Sequence, residues 1–263
     1  MRADTADQRA PVLEELLRAS GLKKSYSGRV AVDGVSITLC AGEMVALLGS
    51  NGAGKTTLLQ MLTGLFTPDL GQIEILGVDM ARRPADALSH LGVVFQQPAL
   101  DVDLSVMDNL LFHTDLHGLP RGLARDRIHR ELGLFGLQAQ SRAVVRSLSG
   151  GTRRKVELVR ALLHEPHVLL LDEATVGLDP ASRQQILEKV RALCRLEDKC
   201  ALWATHLIEE VSIADRLVLL AGGRVRFDGS IDEFMTLHAG QTLQAALLGQ
   251  LGAEAPAAQI SPP

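Results

Sequence analysis

Short, continuous apolar runs recur along the chain, and each of the central ones ends in a polar or glycine-rich segment. These central runs are residues 44–48, 91–95, 168–171 and 200–205. Runs of this length are typical of parallel strands that are buried on both faces of a sheet. Residues 156–163 and 186–193 lie between them and have apolar positions at helical spacing. The alternation of strands with helices predicts an α/β fold with a mostly parallel core sheet.

The two ends of this core carry a second strand pattern. Residues 13–39 have strand character around a predicted turn at Asp33-Gly34, and residues 72–77 alternate between polar and apolar positions. Residues 216–227 predict a hairpin around a pair of glycines. We therefore expect additional strands beside the central parallel ones.

A mostly helical insert, residues 101–146, separates two parts of the core. Within it, His113 and His117 stand four residues apart, as metal ligands can on a helix. The sequence offers no evident third ligand for them. It therefore favours a solvated or half-buried helix face over a metal site.

One glycine-rich loop directly follows the apolar run at 44–48 and precedes a helical segment. Its residues are Gly49, Ser50, Asn51, Gly52, Ala53, Gly54, Lys55, Thr56 and Thr57. This spacing is that of the phosphate-binding loop, in which glycines let successive backbone N–H groups surround phosphate oxygens. The helix that follows directs its partial positive end at the same phosphates. Lys55 is expected to bind the β- and γ-phosphates, and Thr56 to offer its hydroxyl to Mg²⁺.

Other polar residues stand at the carboxyl ends of predicted strands, the edge where open α/β sheets bind ligands. They are Gln96, Asp172, Glu173 and His206. A carboxylate at this edge beside a phosphate loop is expected to handle Mg²⁺, which points to Asp172. A second, adjacent carboxylate costs energy unless a cation or a reacting water uses it. Glu173 is therefore interpreted as the group that orients or deprotonates the attacking water.

A second candidate anion site lies where Ser149, Gly150 and Gly151 begin a predicted helix. The cationic residues that follow could contact phosphate, but the solvated face of the first turn is favoured for them, because positive charge there does not stabilise a helix. They are Arg153, Arg154 and Lys155. Upstream of the phosphate loop, Tyr26 is the only tyrosine. It can stack on a base or pack within a strand, and the sequence leaves both open.

Composition narrows the class of protein. A net charge of −4 gives no indication of nucleic acid or of an anionic membrane surface as a partner. The cysteines, Cys40, Cys194 and Cys200, lack metal-ligand spacing, so free thiols in a reducing compartment are expected. The N-terminus has no apolar core of the kind found in signal peptides, and no apolar run reaches the length of a membrane span. Any role at a membrane is therefore expected to depend on a partner.

Taken in order, these motifs resemble those of the ATP-binding subunits of ABC transporters over roughly residues 13–238. The resemblance rests on Tyr26, the phosphate loop at 49–57, Gln96, the signature at 148–152, Asp172-Glu173, the D-loop at 177–179 and His206. It implies an α/β, P-loop NTPase ABC cassette with a mostly parallel core sheet, an N-terminal antiparallel β part and a helical subdomain at about 98–163. Residues 1–12 would be a disordered lead-in, and residues 239–263 a C-terminal tail.

The resemblance also implies a mechanism in which ATP, with Mg²⁺, is hydrolysed between two cassettes paired head to tail. Gln96, Glu173 and His206 would be catalytic, and Thr56, Gln96 and Asp172 would hold the metal. Tyr26 would stack on adenine. Ser149, Gly150, Gly151 and Asp179 would complete the nucleotide site of the opposite cassette. The implied partners are a second ATP-binding subunit, of the same or another kind, and an integral-membrane permease, with the cassette peripheral on the cytoplasmic face.

Two departures from the family pattern bear on its subclass. Thr152 stands where the family usually has glutamine, which weakens any side-chain contact to ribose from this position. Residues 174–179 differ from the version that many importers carry. Together with residues 95–98 and the lack of a C-terminal regulatory domain, this resembles the exporter cassettes that pair with separate permeases, among them drug and nodulation-factor exporters.

Two other classes of protein were weighed against this interpretation. Soluble ABC ATPases that act on ribosomes or DNA usually have two cassettes in one chain or a long coiled-coil insertion, and residues 57–147 show no sustained heptads. A small-molecule kinase needs an acceptor site rather than a hydrolytic glutamate, so the signature, Asp172-Glu173 and His206 argue against it. The transport ATPase is the main hypothesis, and the soluble ABC ATPase is the alternative.

Overall fold

Two sheets of different type form the framework of residues 14–252, the part of the chain that the computed structural model describes. The predicted lead-in at 1–12 lies outside these residues. The strands are β1 (Glu15–Tyr26), β2 (Arg29–Cys40), β3 (Met44–Leu48), β4 (Leu70–Ile75), β5 (Val78–Asp79), β6 (Leu91–Val94), β7 (Val168–Asp172), β8 (Cys200–Thr205), β9 (Arg216–Ala221) and β10 (Arg224–Gly229). The helices are α1 (Lys55–Leu62), α2 (Pro84–Leu88), α3 (Val106–Leu116), α4 (Arg121–Leu134), α5 (Gly150–Leu162), α6 (Pro180–Glu197), α7 (Ile208–Val211), α8 (Ile231–Leu237) and α9 (Leu243–Gly252).

The central sheet has six strands in the order β10-β9-β3-β8-β7-β6. The five strands from β9 to β6 run parallel, and β10 pairs antiparallel at one edge. Every residue of β3, β7 and β8 is buried. This burial is the reason that their sequences are continuous apolar runs rather than alternating ones. The predicted α/β fold with a mostly parallel core sheet is confirmed.

The second sheet is antiparallel, in the order β2-β1-β4-β5, and it confirms the expected N-terminal β part. The predicted turn at Asp33-Gly34 is wrong. The hairpin turns instead at Ser27 and Gly28, whose φ angles of 47° and 82° are the two positive values that a type I′ turn requires. Gly34 lies inside β2, where Lys23 pairs with Asp33 and Leu22 with Val35, so it is the extra residue of a bulge.

A helical part packs beside the central sheet and contains α3, α4 and α5. Its core is a separate apolar cluster, whose fully buried members include Val106, Leu110, Ile128, Leu132 and Val156. α5 also contributes Leu158 and Leu162 to the cluster under β7 and α6. α5 therefore joins the helical part to the sheet.

The C-terminal segment that the sequence analysis treats as a tail contains a packed helix. Ala246 and Leu247 of α9 are buried in one apolar cluster with Phe234 of α8 and Leu48 at the end of β3. Within residues 14–252, no helix has the length and apolar character that crossing a membrane requires.

Candidate functional site

Four strand ends meet at one edge of the central sheet, in the order β3, β8, β7, β6. Leu48 pairs with Thr205, Ala204 with Asp172, and Leu171 with Val94. The segments that follow these strands carry the phosphate loop, His206, Glu173 and Gln96, respectively. The strand register thus brings together side chains that are far apart in the sequence, at the edge where α/β sheets bind ligands.

The phosphate loop is held in shape by two glycines that other residues cannot replace. A Cβ on Gly49 would lie 2.5 Å from the carbonyl oxygen of Leu220. Gly54 has a φ of 107°, and a Cβ there would lie 2.5 Å from the carbonyl oxygen of Ala31. The loop therefore needs glycine both for its left-handed backbone and for its close approach to neighbouring strands.

Lys55 is buried beneath this loop, with 5% of its surface exposed. Its ammonium donates to the carbonyl oxygens of Gly49, at 2.7 Å, and Ser50, at 3.1 Å. Burial lowers the pKa of Lys55, while the carboxylates of Glu173 and Asp172 oppose that shift. A positive charge is thus fixed at the start of α1, where the helix dipole adds to the attraction for an anion.

Glu173 lies at the centre of the sheet edge and is held from both sides. The Gln96 amide donates to its Oε2 at 3.0 Å, and Nδ1 of His206 lies 3.1 Å from its Oε1. Its backbone φ is 46°, in the left-handed region that non-glycine residues rarely adopt. Such strain persists only where the surrounding structure fixes the backbone. Here the backbone amide of Glu173 donates to the carbonyl oxygen of Ala204 at 2.9 Å, which fixes it.

A cavity of about 370 Å³ opens at this edge. It is lined by Ala31, Asn51, Gly52, Gly54, Lys55, Thr56, Thr57, Gln96, Glu173 and His206. The structure therefore gathers the second half of the phosphate loop and all three residues predicted as catalytic around one space. Gly49, Ser50 and Ala53 belong to the same loop but do not line the cavity.

Asp172 lies at the end of β7 with 6% of its surface exposed. Burial and the neighbouring Glu173 carboxylate raise its pKa, and a hydrogen bond from the Thr56 hydroxyl acts in the opposite direction. Its Oδ1 is buried without a hydrogen-bond partner among the described residues. This carboxylate oxygen is buried and receives no hydrogen bond, and it lies beside a threonine hydroxyl. Two such oxygens are ligands that suit Mg²⁺.

The signature residues and Asp179 form a second group, half-buried to exposed, that does not line the cavity. Ser149 caps α5, and its hydroxyl accepts from the Thr152 amide at 3.2 Å. A Cβ on Gly151 would lie 3.0 Å from the hydroxyl oxygen of Ser182, in the first turn of the helix that Asp179 caps. The starts of α5 and α6 therefore present Ser149, Gly150 and Asp179 together at the surface.

Tyr26 is likewise not among the residues that line the cavity. It is 38% exposed, and its ring packs edge-on against Phe66 with centroids 5.9 Å apart. The structure thus gives Tyr26 an aromatic neighbour and leaves part of its ring accessible.

The prediction that Arg154 lies on a solvated face is wrong. It is 8% exposed, and its guanidinium donates to the carbonyl oxygens of Ala174 at 2.6 Å and Phe95 at 2.8 Å. It also forms an ion pair with Glu157. Arg154 therefore connects α5 to the segments that carry Glu173 and Gln96. Its burial depends on carbonyl groups from distant segments, so its sequence position gave no sign of it.

A buried carboxylate, Glu210, is a second residue that sequence reasoning missed. It is 1% exposed, accepts from the indole N–H of Trp203 at 2.8 Å, and is hydrogen-bonded to the Thr175 hydroxyl. It thereby connects the segment after Glu173 to the helix after His206. The sequence feature that could have identified Glu210 is its position four residues after the candidate residue His206.

Comparison with known proteins extends these observations. The family model described as ABC transporter matches residues 32–176. The daunorubicin resistance ATP-binding protein DrrA3 of Streptomyces coeruleorubidus is 37% identical over 239 residues, which is 90% of this chain and 76% of that protein. The Nod factor export ATP-binding protein I of Ralstonia nicotianae is 38% identical over 226 residues, 86% of this chain and 70% of that protein.

Solved structures agree with the sequence relatives. A structure described as the ATP-binding subunit of an ABC transporter has a TM-score of 0.80 and 29% identity, and it covers 90% of this chain and 99% of that one. The structure of cbiO1 from Clostridium perfringens, part of an ABC transporter complex, has a TM-score of 0.78 and 27% identity over 92% of this chain and 96% of that one. The fold, the motifs at the sheet edge and these relatives together show that the chain belongs to the ATP-binding ATPase subunits of the ABC transporter family.

Proposed function

We propose that this chain hydrolyses ATP to drive export of a substrate through a separate integral-membrane permease. The observation that carries the hydrolytic part is the position of Glu173, held between Gln96 and His206 in the cavity that the phosphate loop lines. The direction of transport is supported by the relatives, which are named for daunorubicin resistance, linearmycin resistance and Nod factor export.

In the proposed reaction, backbone N–H groups of the phosphate loop and the Lys55 ammonium bind the phosphates of ATP. The Glu173 carboxylate accepts the proton of the attacking water, and His206 holds the water and the γ-phosphate. Gln96 orients Glu173 through its amide. Tyr26 stacks on the adenine through the part of its ring that is exposed.

The residues expected to hold Mg²⁺ are Thr56, Gln96 and Asp172. The orphaned Oδ1 of Asp172, the nearby Thr56 hydroxyl and the Gln96 side chain supply the hard oxygen ligands that Mg²⁺ prefers. When bound, the ion neutralises charge on the β- and γ-phosphates. The raised pKa of Asp172 is consistent with this role, since a cation would relieve the repulsion between two adjacent carboxylates.

The nucleotide site is proposed to be completed by a second cassette. Ser149, Gly150 and Asp179 are exposed and Gly151 is half-buried, and this group does not line the cavity of its own chain. Two chains paired head to tail would bring this group to the γ-phosphate bound by the partner. ATP binding would then favour the paired state, and hydrolysis would release it. The partner is either a second copy of this chain or another ATP-binding subunit.

We propose that the cassette extends over residues 13–238 with its helical subdomain at about 98–163. It would lie peripherally at the cytoplasmic face of the membrane, where Gln96 and the helical subdomain couple it to the permease. No nucleic-acid partner is expected at a net charge of −4.

Head-to-tail pairing of two cassettes is tested with the Glu173→Gln protein, in which bound ATP is expected to stay unhydrolysed. Light scattering should find a dimer with Mg-ATP and a monomer without it. Adding Ser149→Arg, at the exposed signature, should keep nucleotide binding but abolish the dimer. A protein that stays monomeric at saturating Mg-ATP would contradict the paired mechanism.

The transport role is tested by isolating tagged Glu173→Gln protein from gently solubilised membranes of its native host with Mg-ATP. A polytopic membrane protein in stoichiometric amount is expected. Recovery of ribosomes or DNA in its place would overturn the transport proposal and favour the soluble ABC ATPase.

A further inference from the structure

Three histidines from two distant parts of the chain meet beside the central sheet. His113 lies in α3, His117 ends that helix, and His164 follows α5. The ring centroids of His113 and His117 are 4.6 Å apart, and those of His117 and His164 are 4.0 Å apart. The sequence alone offers no third ligand for His113 and His117, and the fold brings His164 to them.

In two of these histidines, one ring nitrogen is buried and has no hydrogen-bond partner among the described residues. They are Nε2 of His113 and Nδ1 of His164. A buried polar atom without a partner costs free energy, and native structures contain few of them. Two such atoms in one cluster therefore point to a ligand that both can bind.

The hydrogen bond of His164 fixes which of its nitrogens is available. Its Nε2 lies 2.8 Å from the carbonyl oxygen of Leu91, and because a carbonyl can only accept, Nε2 carries the hydrogen. In the neutral ring Nδ1 is then left with a free lone pair. A histidine that binds a metal usually donates its other ring N–H to a carbonyl or carboxylate in this way. Burial lowers the pKa of His113 to about 3 and of His164 to about 4, so both rings are neutral at pH 7.

We propose that His113, His117 and His164 bind a divalent transition metal ion of the zinc class. The ligand atoms of the three residues lie within 4.8 Å of one another. Zinc–nitrogen bonds of about 2.0–2.1 Å place tetrahedral ligands roughly 3.3 Å apart, so the site closes when the His117 ring turns out of its stacked position on His164. His117 is exposed and can turn. Histidines four residues apart on one helix face are a common zinc-binding pair.

The charged groups around the cluster set its affinity. The Arg160 guanidinium, on α5, contributes positive charge at all three rings and so weakens cation binding. The Glu157 carboxylate offsets part of that charge. The Lys199 ammonium adds positive charge at His164. Neutral imidazoles near these two cations still suit Zn²⁺, Co²⁺ or Ni²⁺, which imidazole prefers, but not Mg²⁺ or Ca²⁺.

The site would connect two parts of the molecule. His113 and His117 belong to the helical part, whereas His164 is hydrogen-bonded to the first residue of β6. Gln96 follows the end of β6. A bound ion would therefore fix the helical part against the strand that leads to the nucleotide site. This inference does not depend on the direction of transport or on the permease.

A second histidine pair in the described part of the chain provides a matched control. The rings of His90 and His167 lie 5.3 Å apart, within the range of 4.0–5.6 Å found in the cluster, but neither has a buried nitrogen without a partner. Untagged protein, stripped of metal with EDTA, is dialysed against Zn²⁺ without nucleotide, and bound zinc is measured by mass spectrometry. Wild type should bind one more equivalent than His117→Gln, and the double variant His90→Gln/His167→Gln should match wild type.

The ligand class is tested with Co²⁺, whose visible absorption bands report tetrahedral coordination by nitrogen. His117→Gln and His113→Gln should each weaken Co²⁺ binding at least tenfold while circular dichroism stays that of the wild type. Since His117 is exposed, its variant tests the proposal even where His113→Gln fails to fold. Equal zinc and cobalt binding by wild type and His117→Gln, or an equal loss in the His90/His167 variant, would overturn the proposal.

Discussion

At the scale of single residues, Glu173 combines a strained backbone with a side chain held by two neighbours. Glu173→Gln keeps the size of the side chain but removes the carboxylate that we propose as the proton acceptor. We expect ATP hydrolysis to fall by roughly two to four orders of magnitude, with nucleotide affinity retained, because general base catalysis is worth about that much. Phosphate release and nucleotide titration measure the two effects separately.

The control for Glu173→Gln is Glu209→Gln. Glu209 is 79% exposed and pairs with Arg183 at the surface, so this variant should hydrolyse ATP at the wild-type rate. Hydrolysis by Glu173→Gln within a few fold of wild type would mean that another group accepts the proton.

Substitution of two glycines in the phosphate loop distinguishes the effect of backbone strain from that of a steric clash. Gly52 and Gly54 both have positive φ, but a Cβ on Gly52 meets nothing within 4 Å, whereas one on Gly54 lies 2.5 Å from the Ala31 carbonyl oxygen. Gly52→Ala should cost about 1–2 kcal/mol of stability, and Gly54→Ala distinctly more, with loss of ATP binding. Thermal melts and nucleotide titration of both variants test this order. Equal effects would show that strain alone decides.

At the scale of elements, α5 depends on Arg154, which connects it to the carbonyl groups of Phe95 and Ala174. Arg154→Met leaves Glu157 as a buried carboxylate without its cation. Loss of one partner of a buried ion pair costs about 3–5 kcal/mol, so chemical denaturation should show a fall of that size. The same substitution at Lys155, whose partner is Gln185 near the surface, should change stability by well under 1 kcal/mol. Similar losses in both variants would rule out the proposed role of Arg154.

The junction of β3, β9 and α6 depends on the ionised carboxylate of Asp215. It accepts from the Met44 amide at 2.9 Å and from Arg195 at 2.7 Å. Burial raises the pKa of Asp215. These two hydrogen bonds and the nearby guanidinium charges together lower it by more, so its pKa lies below the ordinary value. A carboxyl whose pKa is lower in the folded chain stabilises the fold above its unfolded-state pKa and loses that contribution as pH falls through its folded-state pKa.

Asp215→Asn should therefore lower the melting temperature by a constant amount between about pH 5.5 and 7, and the difference from wild type should shrink below about pH 4. Thermal melts across this range measure it. A difference that stays constant down to the acid limit would assign the effect to shape rather than to charge.

At the scale of the whole molecule, the sequence predicts best what depends on the central sheet. The strand ends that carry Gln96, Glu173 and His206 become neighbours because parallel buried strands share one edge. The motif spacing and apolar runs contain that information. The fold class, the phosphate loop and the strand-end residues were therefore within reach of the sequence alone.

What the sequence could not give depends on contacts between distant segments. Arg154 is buried because carbonyl groups from two other segments reach it, and His164 meets His113 only after the helical part packs on the sheet. The hairpin turn was misplaced for a local reason, since Asp33-Gly34 and Ser27-Gly28 have similar turn chemistry. Only the register of β1 against β2 distinguishes the turn from the bulge.

The extent of the cooperative fold is the last property that belongs to the whole molecule, and α9 tests it. Ending the chain after His238 removes Leu247 and Ala246 from the cluster around Phe234 and Leu48. Burial of a leucine contributes about 1.5–3 kcal/mol, so the melting temperature should fall by roughly 5–10 °C. Leu248 of the same helix is 54% exposed, so Leu248→Ala in the full chain should leave the melting temperature nearly unchanged. If the shorter protein melts like the full chain, α9 is an appendage to a fold that is complete without it.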